Sequence, residues 1–282
     1  MKFRTLLLAS AAVMVAAPAF ANEDITAAFY TPAKGKFLSD TDMTVSRTKF
    51  DDGAEKLKVK GLLASEELTY GVTDNLAVFG GITNVFNTKY KDTLLGIGSD
   101  KVGFNNNDLN LAYELGVKYN MKHNNILGQV AVSYETYDPR SWYGKKGEGL
   151  FYSTNKWEKI LNGEVKLGYV LDCGLTPYTT FAVSDDVTHS AKDKSYSWFL
   201  GAHKMLDKVS LDAGVRYDFD SDQEEAWYAQ GEVNYFVKEN VTVGVFGDYY
   251  LGGSSTNTIA GKIKRSDIDY DYDLGLNLKV AF

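Results

Sequence analysis

Ten acidic residues recur on the polar side of segments that alternate polar and apolar positions: Glu114, Glu135, Glu164, Asp212, Asp218, Glu232, Asp248, Asp269, Asp271 and Asp273. Four basic residues share that side: Lys118, Lys166, Arg216 and Lys279. Gathered on one confined wall, these groups would pair with one another and leave an excess of negative charge. Such a wall favours cations or neutral polar solutes, its charges replacing part of a hydration shell. The alternative is a purely structural network that fills the interior.

Catalytic sets are harder to assemble. Nucleophilic hydrolysis needs a base, and the chain has three histidines, His123, His189 and His203. His123 falls in a short turn, and His189 lies in a longer link beside Asp185 and Asp186. His203, in GAHKM, falls on the polar side near a turn. There is no GxSxG elbow, P-loop or CxxC pair. The runs Asp269, Asp271, Asp273 and Asp218, Asp220, Asp222 offer hard oxygen ligands for calcium. Carboxylates two apart on a strand are about 7 Å apart and do not converge. The residues therefore predict no enzyme, no cofactor and no metal. Cys173 is the single cysteine and forms no intrachain disulfide.

The elements that must position these residues are strands. Residues 270–282 place Tyr270, Tyr272, Leu274, Leu276, Leu278, Val280 and Phe282 on one side, and Asp271, Asp273, Gly275, Asn277, Lys279 and Ala281 on the other. The same period of two recurs in twelve segments near 41–50, 57–72, 76–86, 108–119, 126–137, 157–171, 177–185, 194–205, 209–219, 225–237, 241–251 and 267–282. The first is weak, and Glu66–Glu67 suggests a bulge or register break in the second.

Tight turns at 73–75, 120–125, 172–176, 206–208 and 238–240 alternate with mostly longer links at 87–107, 138–156, 186–193 and 252–266; 51–56 and 220–224 are shorter. Alternating short and long connections, with strands at or above the 9–11 residues a tilted membrane strand needs, indicate an up-and-down barrel. The fold class is all-β: a transmembrane antiparallel β-barrel of about 12 strands, 10–14 being compatible with the pattern. Tyr70, Tyr119, Tyr169, Tyr235 and Phe282 fall at one set of strand ends; Trp157, Trp198, Tyr217, Trp227, Tyr249 and Tyr270 fall at the other. Two aromatic girdles are expected there.

The first 21 residues carry Lys2 and Arg4, an apolar run and then Ala19-Phe20-Ala21, which reads as a secretory leader cut before Asn22. Its removal takes two of 30 basic residues and none of 37 acidic ones, moving the formal charge from −7 to −9. An acidic chain without a basic stripe is not expected to bind nucleic acid. The expected division is leader 1–21, a periplasmic segment 22–40 and a barrel 41–282.

With its leader, its strand repeat and its ending LGLNLKVAF, the chain resembles Gram-negative outer-membrane β-barrel proteins of the porin-like superfamily. In that superfamily a final aromatic preceded by alternate apolar residues is read by the barrel-assembly machinery; Tyr272, Leu276, Leu278, Val280 and Phe282 match it. The resemblance implies an outer-membrane location, outer-membrane lipid and the assembly machinery as partners, and no cofactor. A likeness to twelve-stranded channels for acidic sugars stops at the pore, which those line with arginines. The mature chain here has only Arg47, Arg140, Arg216 and Arg265.

The expected function is a monomeric channel for passive diffusion of small polar solutes or ions, weakly cation-preferring. Its expected lining is Glu114, Lys118, Glu135, Glu164, Lys166, Asp212, Arg216, Glu232, Asp248 and Asp271. The alternatives are a structural or adhesive barrel acting through loops such as 138–156, with Arg140, Trp142, Tyr143, Lys145, Lys146 and Phe151, and an outer-membrane hydrolase.

Overall fold

The computed structural model describes residues 24–51, 56–92, 101–103, 110–137, 158–188, 194–220, 225–259 and 262–282. The leader 1–21, loop 138–156, Trp157, His189 and Asp222 lie outside them. The strands are β1 (Phe37–Asp51), β2 (Lys56–Gly71), β3 (Leu76–Asp92), β4 (Lys101–Gly103), β5 (Asn110–His123), β6 (Ile126–Tyr137), β7 (Glu158–Tyr169), β8 (Leu175–Asp186), β9 (Lys194–Leu206), β10 (Val209–Asp220), β11 (Glu225–Lys238), β12 (Val241–Ile259) and β13 (Lys262–Ala281). Strand β4 only extends the far end of β3, pairing Lys89 with Gly103. The other twelve pair antiparallel in chain order, and β1 pairs with β13, so the sheet closes into a barrel.

Closure satisfies backbone groups that lipid cannot. The seam runs from Leu38 opposite Ala281 to Asp51 opposite Asp267. At its end the Phe37 amide donates to the Phe282 carbonyl at 2.7 Å, and the Phe282 amide returns a bond at 2.9 Å. The two rings stack 5.5 Å apart, and Tyr70 packs 4.7 Å from Phe37.

Connections at this end are short. Asn124 (φ 52°) and Asp207 (φ 53°) turn two-residue hairpins in the left-handed region that Asn and Asp tolerate. At the opposite end the hairpins are longer than the sequence suggests. Strand β3 continues to Asp92, and β12 and β13 pair from Ser255 opposite Ser266 to Ile259 opposite Lys262. Stretches 87–92 and 252–259, expected as links, are therefore strand: polar side chains do not stop a ladder from extending beyond an apolar band.

The apolar residues face outward. Leu115 is 69% exposed, Leu276 61% and Leu200 59%, while a small cluster of Ile25, Leu38, Phe236 and Ala281 is buried inside. A continuous exposed apolar belt is untenable in water, so lipid must cover it. At the loop end Phe181, Tyr196, Phe219, Tyr217 and Trp227 form a row of neighbouring rings, with centroid spacings of 4.4–6.3 Å. The assembly-signature residues Tyr272, Leu276 and Leu278 share the outward parity of β13 with Leu274.

Two expectations are corrected. No register break occurs at Glu66–Glu67, where β2 pairs continuously with both β1 and β3. Instead the adjacent pair splits between the two faces: Glu67 points inward, and outward-facing Glu66 accepts hydroxyl bonds from Ser39 (2.6 Å) and Thr41. The shift lies at Lys60/Leu62 instead. The expected segment 22–40 also divides, because β1 begins at Phe37 and residues 24–36 fold inside the barrel mouth.

Lipid-facing charge should therefore be costly. Leu276→Arg is expected to lower unfolding stability in lipid vesicles by about 2–4 kcal/mol, against a much smaller loss for lumen-facing Thr180→Lys. Urea titrations of both variants check this.

Candidate functional site

A cavity of about 590 Å³ occupies the lumen above the short-turn end. Strand parity builds its wall: opposed residues share a face, so Glu114 faces inward beside Glu135, Asp212 beside Glu232, and Asp248 beside Asp273. Of the ten expected lining residues, Lys118, Glu164, Lys166, Asp212, Arg216, Glu232 and Asp248 border this cavity. Glu114 and Glu135 border a second one of about 320 Å³. Asp271 lies higher, accepting hydroxyl bonds from Thr48 (2.8 Å) and Tyr228 (3.0 Å). Asp218 and Asp273 face inward too, while the side chain of Asp269 lies outside the described residues.

Each of the four expected inward bases has an acid. Arg216 bonds Asp218 (2.9 Å) and Asp248 (2.8 Å) and lies 4.5 Å from the Tyr228 ring centre. Lys118 stands 3.3 Å from Glu67 and over Phe79, and Lys166 is 3.1 Å from Glu164. Lys279 is 2.9 Å from Glu232 and 3.7 Å from Asp40, and the same Glu232 oxygen accepts from the amides of Asn234 and Asn277. Gly275 leaves room for Phe246, whose Cζ sits 2.2 Å from where a Cβ would stand.

The surplus charge is on one side. Asp40, Asp42, Glu67, Glu114 and Glu135 border the smaller cavity with no lysine or arginine among its lining residues. Among the described residues, Asp42, Glu114 and Glu135 have no cation within salt-bridge distance. Asp40, Asp42 and Glu67 escaped the sequence reading. The outward face of β1 begins with Ser39 and Thr41, which blurs the alternation, and Glu66 beside Glu67 hides which acid faces in. The repeat of Asp40, Asp42, Thr44 and Ser46 against Met43 and Val45 was the available signal.

Residues 24–36 form an inner collar at the mouth. Following the chain backward, Gly35 bonds Gly71 on β2, and the carbonyls of Ala33 and Pro32 stand 2.2 and 2.3 Å from where a Gly71 Cβ would be. Asn120 on β5 donates to Thr31 and to the Phe29 carbonyl, both at 2.6 Å. The Phe29 ring meets Tyr178 on β8 edge-on at 5.9 Å. Thr26 donates to Ser210 on β10 at 2.7 Å, and Asp24 lies 2.7 Å from His203 on β9. Ile25 completes the circuit against Leu38, Phe236 and Ala281. Burial opposes charge on Asp24, but the bonds from His203 and Thr26 outweigh it and hold its carboxyl below 3.8.

His203 faces inward near the turns, between Asp24 and, at 3.5 Å, Asp212, which also accepts from Tyr178 at 2.8 Å. His123 sits at the end of β5, Asp185 pairs with Lys194 at 3.4 Å, and Cys173 is exposed in a turn. Among the described residues no three His, Cys, Asp or Glu side chains gather as a metal site.

Lys279 is the hub of the seam network, and Lys279→Met would strand Glu232 and Asp40. A loss of about 3 kcal/mol in unfolding stability is expected, partly recovered by adding Glu232→Leu. Urea titration of the single and double variants checks it.

No family model matches the chain, and no curated protein matches it. Similarity lies in structure. The COG4313 outer membrane channel from Pseudomonas putida F1 superposes with a TM-score of 0.61 at 13% identity, covering 93% of this chain and 100% of that one. The translocator domain of autotransporter NalP from Neisseria meningitidis gives 0.53 at 7% identity, covering 99% and 96%. The transport unit of the Escherichia coli autotransporter AIDA-I gives 0.50 at 13%, covering 97% and 96%. With its closed ladder and outward apolar belt, the chain has the fold of an outer-membrane β-barrel.

Proposed function

We propose that the protein is an outer-membrane channel for passive diffusion of small polar solutes or ions, with a preference for cations. The observation that carries this reading is the one-sided acidic wall of Asp42, Glu114 and Glu135 beside a lumen cavity whose basic residues are already paired. A solute crossing it would exchange part of its hydration shell for carboxylate and amide oxygens. The solved structure with a TM-score of 0.61 is itself an outer membrane channel, which agrees with the reading. The leader 1–21 would direct export, residues Tyr272 to Phe282 would be read during barrel assembly, and the barrel would act as a monomer in lipid.

The protein is proposed to act without catalysis. His203, which faces inward, is engaged by Asp24 and Asp212 rather than by a nucleophile. The loops on which an adhesive role would depend include 138–156, so the described residues offer that role no particular support.

Single-channel recording in a planar bilayer under a KCl gradient tests the proposal. Openings with a cation-directed reversal potential are expected, moving toward zero when Asp42→Asn, Glu114→Gln and Glu135→Gln are combined. A correctly folded, heat-modifiable barrel that never conducts, or one that prefers anions, contradicts it.

A further inference from the structure

The collar is not bound evenly along its length. Its trailing half is fixed to the wall by backbone: Gly35 donates to Gly71 at 2.8 Å, and Gly71 donates to Lys36 at 2.9 Å. Pro32 is fully buried there, and Asn120 holds both Thr31 and the Phe29 carbonyl. The leading half is different. Its backbone bonds close on themselves, Ala27 to Asp24 at 3.1 Å and Tyr30 to Ala27 at 2.8 Å, making a self-contained turn. That turn meets the wall through side chains, Tyr30 packing against the Leu38, Phe236 and Ala281 cluster. Thr26 reaches Ser210, Asp24 reaches His203, and Ile25 inserts among Leu38, Phe236 and Ala281. The same turn, through Ile25, Thr26, Ala27 and Ala28, borders the larger cavity.

A segment that holds its own fold and is fastened by a few side chains can swing away without breaking a strand ladder. Its opening draws on the low end of the local stability range. We propose that residues 24–28 are a gate across the short-turn mouth of the lumen, hinged at Phe29–Pro32 and latched by Thr26 on Ser210 and Asp24 on His203. This rests on the channel reading. In the closed state the turn floors the cavity. In the open state the latch bonds pass to water, Ile25 leaves its apolar corner, and the lumen continues past the collar. The latch bonds and the burial of Ile25 favour the closed state, and because they are few, brief openings stay within reach.

The hydroxyls of Thr26 and Ser210 are 2.7 Å apart, which makes this the pair to cross-link. In a Cys173→Ser background, Thr26→Cys with Ser210→Cys is oxidised with copper phenanthroline, the disulfide verified by mass, and the barrel recorded in a planar bilayer. The oxidised barrel is expected to lose its openings and to regain them on reduction with dithiothreitol. A second variant, Asp24→Ala with Thr26→Ala, needs no cross-link and is expected to lengthen the openings. Equal conductance in oxidised and reduced states, or unchanged openings in the latch variant, overturns the gate while leaving the channel in place. Silence of wild type, of the reduced pair and of the latch variant, all folded by heat-modifiable mobility, overturns the channel and the gate with it.

Discussion

In hydrocarbon a backbone amide has no partner except another backbone group, so a sheet that crosses lipid must meet itself. Here that requirement is met where the first strand finds the last. The β1–β13 ladder, ending in the paired bonds between Phe37 and Phe282, removes both edges of the sheet. Once the ladder closes, the period of two assigns every wall residue to lipid or lumen. A slip of one residue at the seam would carry Asn277 and Lys279 into lipid and Leu276 and Leu278 into the lumen. Register, more than any single contact, is therefore what the interior depends on.

The same seam completes the interior. Pairing sets Asp40 opposite Lys279 and Asp42 opposite Asn277, so the network that Glu232 makes with Lys279 and Asn277 gains its Asp40 arm only when the barrel is closed. The collar enters the lumen directly ahead of Phe37 and returns to the seam at Leu38 and Ala281. Closure, charge network and collar thus share one end of the molecule. The bases that border the larger cavity are paired, and a surplus of carboxylates stands on the β1–β6 side. That asymmetry, rather than total charge, is what the proposed channel reading rests on.

Much of this was legible in the residues themselves. Strong alternation with apolar outward residues, as in Leu111–Tyr119 and Val209–Phe219, fixed both strand and facing, and lumen acids such as Glu114 and Asp212 followed from it. Four things were obscured, each for a physical reason. Ser39 and Thr41 put hydroxyls on the outward face of β1, so Asp40 and Asp42 lost the contrast that marks an inward residue. Glu66 and Glu67 are neighbours on a strand and must face opposite ways, which imitates a bulge. The collar has no period at all. Its place is set by long-range partners such as Ser210 and Asn120, 184 and 89 residues away from Thr26 and Thr31. The far hairpins outran their apolar bands because ladder bonding continues wherever two strands remain side by side.

The central claim is the facing of β13, and single-cysteine scanning from Leu274 to Lys279 in lipid vesicles tests it most directly. In a Cys173→Ser background, each variant is labelled with a membrane-impermeant maleimide and, separately, with a lipid-soluble one. The account predicts strict alternation: positions 275, 277 and 279 favour the water-soluble reagent, and 274, 276 and 278 the lipid-soluble one. Labelling without a period of two, or with the opposite phase, would contradict the closed barrel and the charged lumen built on it.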